Sequence, residues 1–183
     1  DGDAGRGVEG LAAKRVPARY DGAGGAGAMG DAVKAMCEAA EAAVRDGSQC
    51  VILTDRPEHG DASQPAIPSL LAVGAVHHHL IAVGLRTRAS IVVESASAFS
   101  THHVACLVGY GASAVNPWLA LETCRAWRSS TKVKKAIERG KMPNMSVADV
   151  QRNCKTAMNT GLKKILSKMG ISLLTSYHGA QIF

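Results

Sequence analysis

The chain has 183 residues, 46% of them hydrophobic and 20% charged. That suits a single folded domain with its own core, and it excludes a disordered linker, a collagen-like fibre or a disulfide-stapled miniprotein. The net charge of +6 is lopsided, because Arg125 to Lys168 holds twelve Lys and Arg against only Glu138 and Asp149.

Residues 1–30 hold nine of the 19 glycines and a balanced set of charges. They read as a flexible, Gly-rich leader. Order is expected to begin at Asp31, a good N-cap, and to continue through 183 as one α/β domain. Val33, Met36, Cys37, Ala40 and Val44 recur at helical spacing up to Asp46-Gly47. Cys50-Val51-Ile52-Leu53 is a short apolar run, the pattern of a parallel strand covered on both faces. It ends in Thr54-Asp55-Arg56. A loop from Pro57 to Pro65 follows, and Pro68 opens a helix over Ser69 to Val83, stopped by Gly84.

Ala89 to Val93 reads as the next strand, ending at Glu94. Thr101 to Val108 is helical, Ser113 to Val115 is a third strand ending at Asn116-Pro117, and Leu119 to Arg128 and Lys132 to Arg139 are helices. Ser146-Val147-Ala148-Asp149 is a capping box opening a long helix to Lys168. Ile171 to Thr175 reads as a fourth strand, ending at Ser176. Strands alternating with helices predict an α/β fold of four or so parallel strands, as a partial barrel or an open sheet.

In either architecture, function sits at the carboxyl ends of the strands. The polar residues there are Thr54, Asp55, Arg56, Glu94, Ser95, Asn116 and Ser176. Polar strand ends are also what ordinary loops look like, so position alone assigns them no chemistry. His77-His78-His79 and His102-His103 resemble metal clusters. Neighbouring side chains on a helix diverge by about 100°, however, so neither run can close on one ion. A histidine from each run meeting Asp55 across the fold is the one metal arrangement left open. Gly109-Tyr110-Gly111 follows a helix and is read as a stop, since a dinucleotide loop needs a strand before it.

The five cysteines are odd in number and widely spaced, which suits free thiols. The longest apolar run, Leu70 to Val83, is interrupted by three histidines and falls short of the roughly 20 apolar residues a membrane span needs. The basic segment can serve an anionic partner, but it lacks interleaved aromatics apart from Trp127, and a solvated helical face is the commoner origin of such charge.

Longer motifs go further. Pro65-Ala66-Ile67-Pro68-Ser69-Leu70-Leu71-Ala72-Val73-Gly74-Ala75-Val76-His77-His78-His79-Leu80, Leu107 to Val115 with its Gly-Tyr-Gly, and Asn116-Pro117-Trp118-Leu119-Ala120 resemble the central domain of glutamate synthase large chains. So do Leu166 to Ser172 and the closing Ser176-Tyr177-His178-Gly179-Ala180-Gln181-Ile182-Phe183. Ser100 to His103, Leu121 to Arg128 and Leu173 to Tyr177 look most like the ferredoxin-dependent enzymes of plastids and cyanobacteria. Val104 stands where the family usually has Phe, and Trp118 where it usually has Tyr.

The resemblance implies a connecting role. In the family a glutaminase domain releases ammonia from glutamine through its terminal cysteine. A later barrel with FMN and an iron–sulfur cluster reduces 2-iminoglutarate to glutamate. The resemblance places this chain between the two, as part of an oxidoreductase acting on CH–NH2 donors and inactive by itself. No catalytic, cofactor-binding or metal residue is carried over to it. The implied partners are the glutaminase and FMN domains of the same chain and ferredoxin for the whole enzyme, with no nucleic acid and no membrane span. The implied location is the plastid stroma, or the cytoplasm in a prokaryote. A free-standing α/β enzyme binding phosphate or a nucleotide at its strand ends is the alternative, and a nucleic-acid module is the third reading.

Overall fold

The computed structural model describes residues 11–57 and 64–181. Four parallel strands form an open sheet in the order β1-β2-β3-β4: β1 Ala13–Pro17, β2 Cys50–Thr54, β3 Ser90–Glu94 and β4 Ala114–Asn116. The connecting helices are α1 Ala28–Arg45, α2 Ser69–Ala82 and α3 Thr101–Gly109. After β4 come α4 Trp118–Ser129, α5 Thr131–Glu138 and α6 Val147–Lys168. No helix among the described residues is long and apolar enough to cross a membrane.

Sequential strand order has a geometric consequence. Right-handed crossovers that always step the same way put α1, α2 and α3 on one face of the sheet. The burial pattern follows. Val16, Leu53 and Val93 share a register row and are buried, as are Val51 and Ile91 in the next helix-facing row. They pack against Met36, Cys37, Ala40 and Val44 of α1 and Ala72, Val73, Val76 and Leu80 of α2. On the other face Arg15 and Ala114 are exposed, and Ile52 and Val92 are half-buried. The continuous apolar runs therefore do not mean equal cover on both faces, as their pattern suggests.

Two expectations fail. Residues 1–30 are expected to form a flexible leader; residues 1–10 lie outside the described ones, but Ala13–Pro17 pairs along β2 as an edge strand, and α1 begins at Ala28. Its charged sequence hides it, because only Val16 of its five residues is buried. The segment Ile171 to Thr175 does not join the sheet. It runs into a 3-10 turn at Leu174–Ser176. Ile171, Leu174 and the buried Tyr177 pack with Val104 and Val108 of α3 and Met158, Leu162, Ile165 and Leu166 of α6. Those contacts bury the apolar residues that a strand would otherwise have buried.

The capping box is formed as read. Ser146 Oγ accepts from the Asp149 amide at 3.1 Å, and the Asp149 carboxylate accepts from the Ser146 amide at 3.1 Å. Helix α6 meets α3 at Gly161, where an added Cβ would lie 2.6 Å from Thr101 Oγ1. That close approach requires glycine.

Candidate functional site

Parallel strands end together, so the sequence's polar strand ends are brought to one rim. Pro17, Thr54, Glu94 and Asn116 lie in one register row. Glu94 is the hub, with its side chain only 5% exposed. Thr54 Oγ1 donates to its carboxylate at 2.8 Å and Asn116 Nδ2 at 3.1 Å. Arg56 Nε lies 3.1 Å from it and Arg15 Nη2 3.6 Å. A buried carboxylate held by two guanidiniums and two neutral donors has its charge compensated on every side.

Asp55 forms a second hub beside it. The Ala96 amide donates to its two oxygens at 3.0 and 2.7 Å, Ser95 Oγ at 3.2 Å and Trp118 Nε1 at 2.6 Å. The Arg56 guanidinium lies over the Trp118 ring, 4.7 Å from its centroid, a cation–π contact linking the two hubs. Ser95 Oγ continues the chain to Ser69 Oγ at 2.6 Å and Ser97 Oγ at 3.0 Å.

Six of the seven strand-end residues named from the sequence thus meet: Thr54, Asp55, Arg56, Glu94, Ser95 and Asn116. Ser176 does not, because the strand it was to end is absent. Arg15, Ser69, Ser97 and Trp118 belong to the network and were missed. The Asn116-Pro117-Trp118 motif could have flagged the last, since Pro117 places Trp118 on the first turn of α4 beside the rim.

The chemistry of this layer is that of a clamp. The donors that a bound phosphate would need, such as the Ala96 amide and the Ser95 hydroxyl, are already given to Asp55. The Arg15 and Arg56 guanidiniums are likewise taken up by Glu94. That removes the observation on which the phosphate-binding alternative would stand.

The histidines separate. His79 Nε2 lies 2.7 Å from Glu41 of α1, whereas His77 Nδ1 accepts from Arg86 Nε at 2.9 Å. His78 is exposed. His102 Nε2 faces Cys106 Sγ at 3.5 Å, and His103 stacks edge-on against Phe99 with ring centroids 4.4 Å apart. Both of the latter flank a cleft of about 400 Å³ with Ser69 and Ser97 at the carboxyl rim. His77 lies at the opposite end of the layers, against Gly111. Asp55 is not joined by a histidine from each run. Among the described residues no three His, Cys, Asp or Glu side chains converge.

The cysteines lie on five different elements, with Cys37 and Cys50 buried. Burial raises the thiol pKa of Cys37, Cys50, Cys106 and Cys124, and a thiol–thiol hydrogen bond with Cys154 adds to the rise at Cys124. An iron–sulfur cluster needs convergent thiolates. This donor set does not fit one.

Comparison with known proteins explains the motifs. The glutamate synthase central domain family matches residues 6–183. The chain belongs to that family. It is 58% identical over 157 residues to the chloroplastic ferredoxin-dependent glutamate synthase of Oryza sativa subsp. japonica, covering 86% of this chain and 10% of the relative. The spinach chloroplastic enzyme is 54% identical over 174 residues, covering 94% and 11%. Ferredoxin-dependent glutamate synthase 2 of Synechocystis is 50% identical over 161 residues, covering 87% and 10%. The chain spans about a tenth of the length of these relatives. In this glutamate synthase central domain the motif Pro65 to Leu80 builds α2, and Leu107 to Ala120 builds the end of α3, β4 and the start of α4.

Proposed function

We propose that this chain is the central domain of a ferredoxin-dependent glutamate synthase, which makes glutamate from glutamine and 2-oxoglutarate. Its role is to join the glutaminase part to the part that carries FMN and an iron–sulfur cluster, with ferredoxin as electron donor to the whole. The supporting observation is the family match over 6–183 together with the rice, spinach and Synechocystis relatives, each named as ferredoxin-dependent. The polar rim agrees with a connecting role. Asp55 and Glu94 spend their lone pairs on donors of this chain, which fixes the ends of β2, β3 and β4 and the starts of α2 and α4 relative to one another. The setting is the plastid stroma in a plant or alga and the cytoplasm in a cyanobacterium.

The test uses the full-length enzyme with Asp55→Asn. Glutamate formed from glutamine is compared with glutamate formed from added ammonium, with ferredoxin supplying electrons. A positioning role predicts that glutamine-driven synthesis falls while ammonium-driven synthesis persists. Equal loss of both, with flavin content and melting temperature unchanged, would place Asp55 in the chemistry and overturn the reading. The 183-residue chain by itself is expected to show no turnover.

A further inference from the structure

The opposite end of the sheet has a different electrostatic character. Arg86 follows α2 and is half-buried where the strands begin. Its Nε–H donates to His77 Nδ1 at 2.9 Å, Nη1 to the Ala89 carbonyl at 2.8 Å and Nη2 to the Gly111 carbonyl at 2.8 Å. A guanidinium has five N–H donors, so two are left without a partner among the described residues. The ion pairs of the described residues all lie elsewhere. A half-buried cation without a counter-ion among the described residues is costly, and burial pulls the Arg86 pKa down.

The surroundings do not supply the missing charge. Arg86 borders a cleft of about 360 Å³ together with Arg88, Ser90, Ser113, Thr175 and His178, and no Asp or Glu lines it among the described residues. His178 Nε2 is buried and has no hydrogen-bond partner among them. Burial, then the charge of Arg86, lowers the His178 pKa, so this imidazole adds no permanent charge. Two guanidiniums and the four hydroxyls of Thr87, Ser90, Ser113 and Thr175 around one acid-free cleft form a donor set for an oxyanion.

We propose that this amino-end cleft binds an oxyanion, a carboxylate or phosphate group, seated on Arg86 and Arg88 and steadied by the hydroxyls of Ser90 and Ser113. The group comes either from a free small molecule or from an acidic side chain elsewhere in the longer protein.

Inorganic phosphate and, separately, acetate are titrated into the isotopically labelled 183-residue chain at fixed ionic strength and followed by NMR. Saturable shifts are expected at the Ser90 and Ser113 amides and the Arg86 side chain, with chloride giving none. Arg88→Gln should weaken binding by about threefold, the scale of one exposed charge pair. Arg86→Gln should abolish it. Because Arg86 also holds two carbonyls, Ser113→Ala and the exposed Arg88→Gln provide the readout if that variant fails to fold. Shifts that also saturate in the full-length protein identify a free ligand. Shifts confined to the short chain identify an internal carboxylate that already fills the cleft. Absence of saturable shifts in the short chain, or undiminished affinity in both Arg88→Gln and Ser113→Ala, overturns the proposal.

Discussion

The sheet layer and the C-terminal helices bury their apolar residues to very different degrees. Around β1 to β4, one cluster gathers twenty buried residues, from Val16 to Ala112. Helices α4 and α6 bury no residue fully, and α5 buries only Val133. Leu119, Trp127, Met169 and Leu173 are exposed in this half, which also carries the basic segment. The sheet layer owns its core, whereas the helical half packs its apolar residues on α3 along a seam at Val104, Val108 and Tyr177 and is tied to the rim through Trp118. The contrast teaches that secondary structure and stability are separable: α6 is well capped and long, yet little of it is locked by burial.

The sharpest way to break the contrast is Ile91→Asp. Ile91 is fully buried on the helix-facing side of β3. An unpaired carboxylate there costs several kcal/mol, against about 5–15 in total for an ordinary domain, so the chain should be unfolded by far-ultraviolet circular dichroism. Val92→Asp, on the half-buried face, should fold with a lowered melting temperature. Similar behaviour of the two variants would erase the distinction between the faces.

Next comes the seam. Gly161→Ala drives a methyl into Thr101, and overpacking of this kind costs about 1–3 kcal/mol. Thr101→Ala in the same chain should restore most of the loss in urea denaturation. A double variant no better than the single would mean that α6 is not seated on α3 at this point.

A pH effect separates the sheet layer's amino end from the rest. Burial first, and then the Arg86 charge, lowers the His77 pKa from 6.5 to about 4. The folded state therefore resists protonating a ring that the unfolded chain protonates more readily. The stability tied to the neutral ring is present above 6.5 and is lost as pH falls toward 4. Melting temperature should decline over that window, and less steeply in His77→Gln. Parallel declines would remove His77 as a cause.

The smallest effect is expected from Ser146→Ala. Loss of the α6 cap costs about 1 kcal/mol. It should raise hydrogen exchange in the first turns of α6 while leaving amides of β2 and β3 unchanged. Faster exchange in the strands as well would make the two regions one cooperative unit.

The legible and illegible parts of the fold divide along physical lines. Helices α1, α2, α3 and α6 were readable from spacing and stops, and α6 from its capping box as well, whereas Asp31, read as the N-cap of α1, lies inside its first turn. Strands β2 and β3 were readable as apolar runs. The edge strand β1 was not, since its Ala-Lys-Arg-Val-Pro sequence has one core residue and its partner supplies the rest of the order. Ile171 to Thr175 misled because a short apolar run does not say whether it will meet a sheet or a helix pair. At the rim, Thr54, Asp55, Arg56, Glu94, Ser95 and Asn116 could be named from strand ends alone. Arg15, Trp118, Ser69 and Ser97 depend on strand register and helix direction, which no single segment carries.

Strand β1 has a colloidal consequence. As the first strand of an open sheet, it turns one row of amides and carbonyls away from β2, a template on which another chain could lengthen the ladder. Lys14 and Arg15 are exposed along it and Pro17 has no amide hydrogen to offer. Two like charges repel an incoming copy of the same edge, and the proline interrupts the ladder it would have to complete. Among the described residues no strand pairs outside β1, and the residues that disguise it as a loop are of the kind that disfavour edge-to-edge association as concentration rises.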